Sequence, residues 1–212
     1  MPSLITHSLV ALGATRALAG ERADRSVYVA AAVLACLPDA DVVAFRFGIP
    51  YDHALGHRGF SHSLGFALVT SLVTTIVLWR RRPLERARVS AFPLWMLLFA
   101  MAASHGLLDA FTNGGHGIAF AWPFTAERFF APWRPIQVSP IGIGQFLGPR
   151  GVRVIVSEAR WVWAPLLAWV VAAEVTRRRT RADLARAVAA PHASLDCGVE
   201  EGPLDGRASE AE

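Results

Sequence analysis

Residues 61–79 read SHSLGFALVTSLVTTIVLW, a run with no Asp, Glu, Lys or Arg. About 20 apolar residues are what a helix needs to cross the hydrocarbon core of a bilayer. The run stops at Trp79, followed by Arg80, Arg81 and Arg82. An interfacial aromatic with arginines beyond it anchors a spanning helix. Working outward, residues 91–110 (AFPLWMLLFAMAASHGLLDA) predict a second span, with Pro93 tolerated in its first turn. Residues 161–176 (WVWAPLLAWVVAAEVT) predict a third, closed by Arg177, Arg178 and Arg179. Residues 26–45 (SVYVAAAVLACLPDADVVAF) are equally apolar but broken at Pro38-Asp39-Ala40-Asp41, and residues 3–19 are interrupted by Arg16.

The composition of the whole chain agrees with this reading. Of 212 residues, 53% are hydrophobic and 18% charged, with a mean hydropathy of +0.36. Soluble domains carry roughly 25% charged residues, and disorder requires low hydrophobicity. The expected fold is all-α: a polytopic membrane bundle of about five helices over residues 1–179. It carries an interfacial loop rich in aromatics and proline, Ala121–Phe124 through Phe129–Pro135, and a flexible cytoplasmic tail over residues 180–212. The first segment reads as a retained helix, because no basic residue precedes it and Arg16 sits inside it, opposite to a cleaved signal.

All 21 basic residues are arginine, and the formal net charge is +4. Positive charge alone is weak evidence for nucleic acid, and these arginines sit in short runs beside apolar segments, so no nucleic-acid partner is expected. Leaving aside Arg207 in the tail, thirteen of them fall on one side of the alternating helices and seven on the other. The positive-inside rule then puts the N-terminus outside and the C-terminus in the cytoplasm of a multi-pass plasma-membrane protein. Cys36 and Cys197 have no metal-ligand spacing and form no disulfide framework.

Ionisable groups in membrane helices are costly and usually functional. Here His7 lies at the start of the first helix and Asp39 and Asp41 at the end of the second. His57 and His62 stand at the start of the third, and His105 and Asp109 at the end of the fourth. With alternating helix directions all of them reach one membrane face, the outer one. His105 and Asp109 are four apart and share a helix face. Pro38 ends or kinks its helix, leaving two carboxylates at the bend. Ser61 is a candidate N-cap, Arg58 offers a planar fork for an anion, and His116 in a Gly-rich turn could close over a metal. His and carboxylate without cysteine suit zinc, with manganese or iron as alternatives. More than four such ligands point to two or three ions and metal-assisted hydrolysis.

These motifs carry a resemblance. His7, Leu37-Pro38-Asp39-Ala40-Asp41, His57-Arg58-Gly59-Phe60-Ser61-His62-Ser63, His105-Gly106-Leu107-Leu108-Asp109, Trp122-Pro123-Phe124 and Pro132-Trp133-Arg134-Pro135-Ile136 occur in order over residues 1–176. Together they resemble the YdjM-like family of membrane-bound metal-dependent hydrolases, some of whose members are described as controlled by the DNA-damage (LexA) response. A more distant likeness is to zinc-dependent phospholipase C and P1-type nucleases, helical enzymes with three zinc ions. That pattern resembles His7, Asp39 or Asp41, His57 or His62, His105, Asp109 and His116, but no later H-x-x-x-E pair follows, so one to three ions are expected.

The combined expectation is hydrolysis of an ester or phosphoester, such as a phospholipid headgroup, by metal-activated water. His7, Asp39, His57, His62, His105, Asp109 and His116 are the candidate ligands. Asp39 or Asp41 would bridge ions or act as base, and Arg58 would steady the substrate anion. An ion transporter would use the same residues near the midplane on discontinuous helices. A structural or regulatory protein would use them only to hold helices together.

Overall fold

The structure, a computed structural model, describes residues 1–81 and 90–189. Arg82, Arg86 and Arg88 of the arginine-rich loop, and residues 190–212 of the expected tail with Cys197, lie outside the described residues. The chain divides into two units, Met1–Val175 and Thr176–Glu212. In the second, residues 176–189 are helical and predominantly exposed.

Helix α1 (Leu4–Ala19) starts where the Ser3 side chain accepts from the Thr6 amide. Helix α2 (Arg25–Cys36) starts at Asp24, which accepts from Val27 N. Pro38 has no N–H to continue the α-helical ladder, and the chain tightens into a 3₁₀ helix, Leu37–Phe47, that carries Asp39 and Asp41. Gly48, with φ 74°, ends it. A short 3₁₀ turn (Phe60–His62) leads into α3 (Leu64–Arg81), and α4 covers Ala91–Ala110. After a long irregular segment come α5 (Ile143–Phe146), α6 (Pro149–Glu158), a π-helical turn (Ala159–Trp163) and α7 (Ala164–Ala189).

Among the described residues four helical stretches are long and apolar enough to cross a membrane: Arg25–Phe47, Leu64–Arg81, Ala91–Ala110 and Pro149–Ala189. The α1 helix, expected as a fifth span, has 16 residues. At 1.5 Å per residue that is about 24 Å, short of the ~30 Å hydrocarbon core. It still packs as a fifth helix against α2 and α4, and its Arg16 pairs with Glu174 at 2.7 Å. The segment expected at 161–176 is the middle of a longer helical stretch that includes residues 180–189. The N-cap of α3 is Ser63, whose Oγ accepts from Phe66 N at 3.0 Å, and not Ser61. The Ser61 hydroxyl is drawn instead to Asp41, a stronger, charged acceptor.

The core is built from small side chains: Ala11, Ala14, Ala31, Ala35, Ala67 and Ala102, with Val27, Leu34, Leu94, Leu98 and Met101 among them. In lipid the hydrophobic effect does not drive helices together, and small residues let backbones approach closely enough for dispersion to do so. Leu68, Val69, Leu72, Val73 and Ile76 of α3 face outward, as a lipid-facing surface requires. The start of α1, the 3₁₀ extension of α2, the turn before α3 and the end of α4 meet at one end of this bundle, where the polar residues collect.

Candidate metal centre

Six of the expected ligands come together in buried positions. His7 is in the second turn of α1, and His105 and Asp109 lie one turn apart near the end of α4. Asp39 comes from the 3₁₀ helix, and His57 and His62 come from the loop and turn before α3. All six are at most 5% exposed. Gly106 makes the approach of α4 possible, since a Cβ there would stand 2.8 Å from the His62 carbonyl oxygen.

The distances have the scale of a coordination sphere. His62 Nε2 and His105 Nε2 are 3.1 Å apart. Asp39 Oδ1 is 3.3 Å from His105 Nε2 and 3.8 Å from His62 Nε2. Asp109 Oδ2 is 3.7 Å from His62 Nε2, and Asp109 Oδ1 is 3.5 Å from His7 Nε2. Ligand atoms around a tetrahedral zinc with bonds of 2.0–2.1 Å are separated by about 3.3 Å. Two adjoining groups have the metal-holding geometry, His7–His105–Asp109 and Asp39–His57–His62, each with ligand atoms within 4.8 Å of one another.

Supporting hydrogen bonds orient these rings. The His105 Nδ1–H donates to the Ala35 carbonyl at 2.6 Å, so the neutral ring presents an Nε2 lone pair to the centre. Asp41 lies behind the site: its Oδ1 meets His57 Nδ1 at 2.6 Å, and its Oδ2 accepts from Ser61 Oγ at 2.6 Å and Arg58 N at 3.3 Å. The same oxygen is 3.2 Å from His62 Nδ1. A carboxylate behind a histidine fixes its tautomer and raises its basicity as a ligand. Burial would push the His62 imidazole down, but Asp39, Asp41 and Asp109 outweigh it and raise it to about 9.

Whether these residues fit a metal is answered by their unmet bonding capacity. Both oxygens of Asp39, both of Asp109 and both nitrogens of His7 are buried without a hydrogen-bond partner among the described residues. Buried polar atoms in folded proteins are nearly always bonded. Of the three carboxylates, Asp109 faces the Arg58 guanidinium, Asp39 lies beside the His62 and His105 rings, and Asp41 beside His57 and His62. The donor set fits a divalent ion.

Arg58 is fully buried at a positive φ of 66°. Its Nη1 donates to Gly114 O at 2.8 Å and its Nη2 to Thr112 Oγ1 at 2.9 Å. Its Nε stands 3.1 Å from Asp109 Oδ2, close enough to pair by charge though not aligned as a hydrogen bond. The fork that the sequence offered to an anion thus packs behind Asp109. Gly115, at φ 92°, makes room, because a side chain there would run into the guanidinium. His116 is exposed, lies tilted against Tyr51 with ring centroids 4.7 Å apart, and joins neither metal-holding group. In the interfacial loop, Phe124 is 95% exposed and Trp133 57%.

Glu158 escaped the sequence reading. It is fully buried and accepts from Ser3 N, Ser3 Oγ and Thr6 Oγ1. The Trp163 indole N–H donates to the same Thr6 hydroxyl at 2.7 Å. These bonds tie the end of α6 and the π-helical turn to the start of α1, next to His7. The available signal was a lone acid in the apolar stretch Val154–Trp163.

The comparisons with known proteins agree with this architecture. A family model described as YdjM inner membrane protein matches residues 1–180. "Inner membrane protein YbcI" of Escherichia coli (strain K12) is 42% identical over 167 residues, covering 78% of this chain and 92% of that protein. No solved structure matches the chain.

Proposed function

The chain belongs to the YdjM inner membrane protein family, and from that premise we propose that it is a membrane-bound metal-dependent hydrolase of an ester or phosphoester, such as a phospholipid headgroup. The observation that carries the reading is the set of buried, unpartnered oxygens and nitrogens on Asp39, Asp109 and His7 at one end of the bundle. His7, His62, His105, Asp39 and Asp109 would hold the ion, zinc before manganese or iron, with His57 serving a second. The arginine distribution supports an outer-face position for this end and a cytoplasmic C-terminus.

A divalent ion in such a site polarises a phosphoryl or carbonyl oxygen and acidifies water. The chain's own residues do the rest. Asp41 is occupied by His57, Ser61 and the Arg58 amide, so it orients and does not accept a proton from water. Asp39 has no hydrogen-bond partner on either oxygen among the described residues; one oxygen would hold the ion and the other would act as the base. In hydrolysis the water oxygen bonds to phosphorus or the acyl carbon, and the bond to the leaving oxygen breaks. The water proton passes through Asp39 to the departing alcohol. Arg58 holds Asp109 in place from behind.

The test is hydrolysis of phosphatidylglycerol and of a chromogenic phosphodiester by purified protein in proteoliposomes, with a chelator control and an Asp39→Asn variant. Turnover that chelation removes and zinc restores, and that falls at least a hundredfold in the variant, supports the proposal. Turnover indifferent to both contradicts it. A second reading, ion transport, draws on the break of the Arg25–Phe47 span at Pro38 beside the carboxylates. It predicts zinc flux across the same proteoliposomes, abolished by the same variant.

A further inference from the structure

A cavity of about 550 Å³ opens beside the metal-holding cluster, and Asp39 belongs to its wall. Its volume is in the range of ligand pockets, roughly 300–1,000 Å³. The rest of the wall is predominantly apolar and includes Leu4, Ile5, Val42, Pro140 and Phe146. Asp39 is the one carboxylate in it, 5% exposed, and neither of its oxygens has a hydrogen-bond partner among the described residues. The cavity therefore has a predominantly apolar lining with one carboxylate, Asp39 of the candidate reaction centre, in its wall.

Its mouth faces outward. Leu4, Ile5 and Ile141 line it and are about half exposed, at 53%, 49% and 47%. One wall, Cys36 to Val42, belongs to the Arg25–Phe47 membrane-spanning stretch, so hydrocarbon rather than water is the natural neighbour of that side. An apolar cavity open to the bilayer selects a hydrocarbon chain, because filling it with water would leave the water without bonding partners. The Asp39 carboxylate, with the cation it would help to hold, selects an anionic head, and a phosphate ester is such a head.

We infer that this cavity is the acyl-chain subsite of a membrane phospholipid, whose chain lies along Leu4, Ile5, Val42 and Phe146 while its phosphate ester is presented beside Asp39. The assignment rests on the reading of the cluster as the reaction centre and adds to it the class of substrate.

The experiment measures binding of radiolabelled dipalmitoylphosphatidylglycerol to the full-length protein in dodecylmaltoside, with metal content determined on the same samples. Ile141→Trp and Val42→Trp fill the cavity from two different segments of its lining, and Val69→Trp, on the outward face of α3, is the control. The expected result is saturable binding to wild type and Val69→Trp, at least tenfold weaker in both cavity variants, with metal content unchanged. Equal binding in all four proteins overturns the inference. Competition on unmodified protein tests it without any variant: hexadecanol should displace the probe and chain-free glycerophosphoglycerol should not, and the reverse order overturns it. Chain-selective binding by protein without metal would sink the hydrolase reading and leave the cavity assignment standing. Bound metal with no saturable lipid binding would do the opposite.

Discussion

Two buried acidic regions lie on either side of the first turns of α1, and they are built to opposite ends. Glu158 receives three donors, from Ser3 N, Ser3 Oγ and Thr6 Oγ1. Asp39 and Asp109, a few residues away through His7, have no hydrogen-bond donor among the described residues. A buried polar group left unmet costs about 1–3 kcal/mol, more if charged. The protein closes the first region with its own backbone and hydroxyls. In the second it brings three carboxylates and four imidazoles together and leaves Asp39, Asp109 and His7 without a hydrogen-bond partner among the described residues. The contrast separates a structural carboxylate, completed by the fold, from carboxylates that only a bound cation completes.

The largest effect should come from His105→Ala or Asp109→Ala. Each removes a ligand atom from the shared centre, and metal measured by mass spectrometry should fall to background while the protein still inserts. Retention of full metal content in either variant would remove the distinction between the two regions. Asp41→Asn comes next. Asp41 touches His57 and His62 from behind, and loss of such a partner typically weakens metal affinity by 10–100-fold. Chelator competition reads this directly, and an unchanged affinity would mean that Asp41 orients nothing.

The effect of pH is smaller. In metal-free protein His62 holds its proton up to about 9, and a metal can use only the deprotonated Nε2. Binding must then expel that proton, so affinity should rise about tenfold per pH unit and level off near pH 9. A flat profile between pH 6 and 9 would show that His62 is not a ligand. The smallest change in metal binding is expected for Glu158→Gln. It should lower thermal stability by about 1–3 kcal/mol through mismatched donors at Ser3 and Thr6, with full metal occupancy at saturation. A Glu158→Gln protein that loses its metal would place both acidic regions in one site.

Much of this was readable from residue order. The α4 boundaries coincide with the apolar run 91–110, and the convergence of His7, Asp39, His57, His62, His105 and Asp109 follows from alternating helix directions. Contacts between residues far apart in sequence were not readable. The bonds from Ser3 and Thr6 to Glu158 join residues more than 150 positions apart, and no periodicity records such a pairing. Ser61 and Ser63 are equally good caps by composition, and only the position of Asp41 decides between them. Arg58 seemed open to an anion because its loop is polar, whereas Gly114 and Thr112 fold over it. His116, next to those residues in sequence, turns outward onto Tyr51.

The most direct measurement is the metal content of wild-type protein purified in detergent without chelator, by inductively coupled plasma mass spectrometry. The account predicts at least one equivalent of zinc, manganese or iron per chain, removable by a strong chelator and rebound on dialysis. Metal at background, with no uptake of added zinc by correctly folded protein, would contradict it.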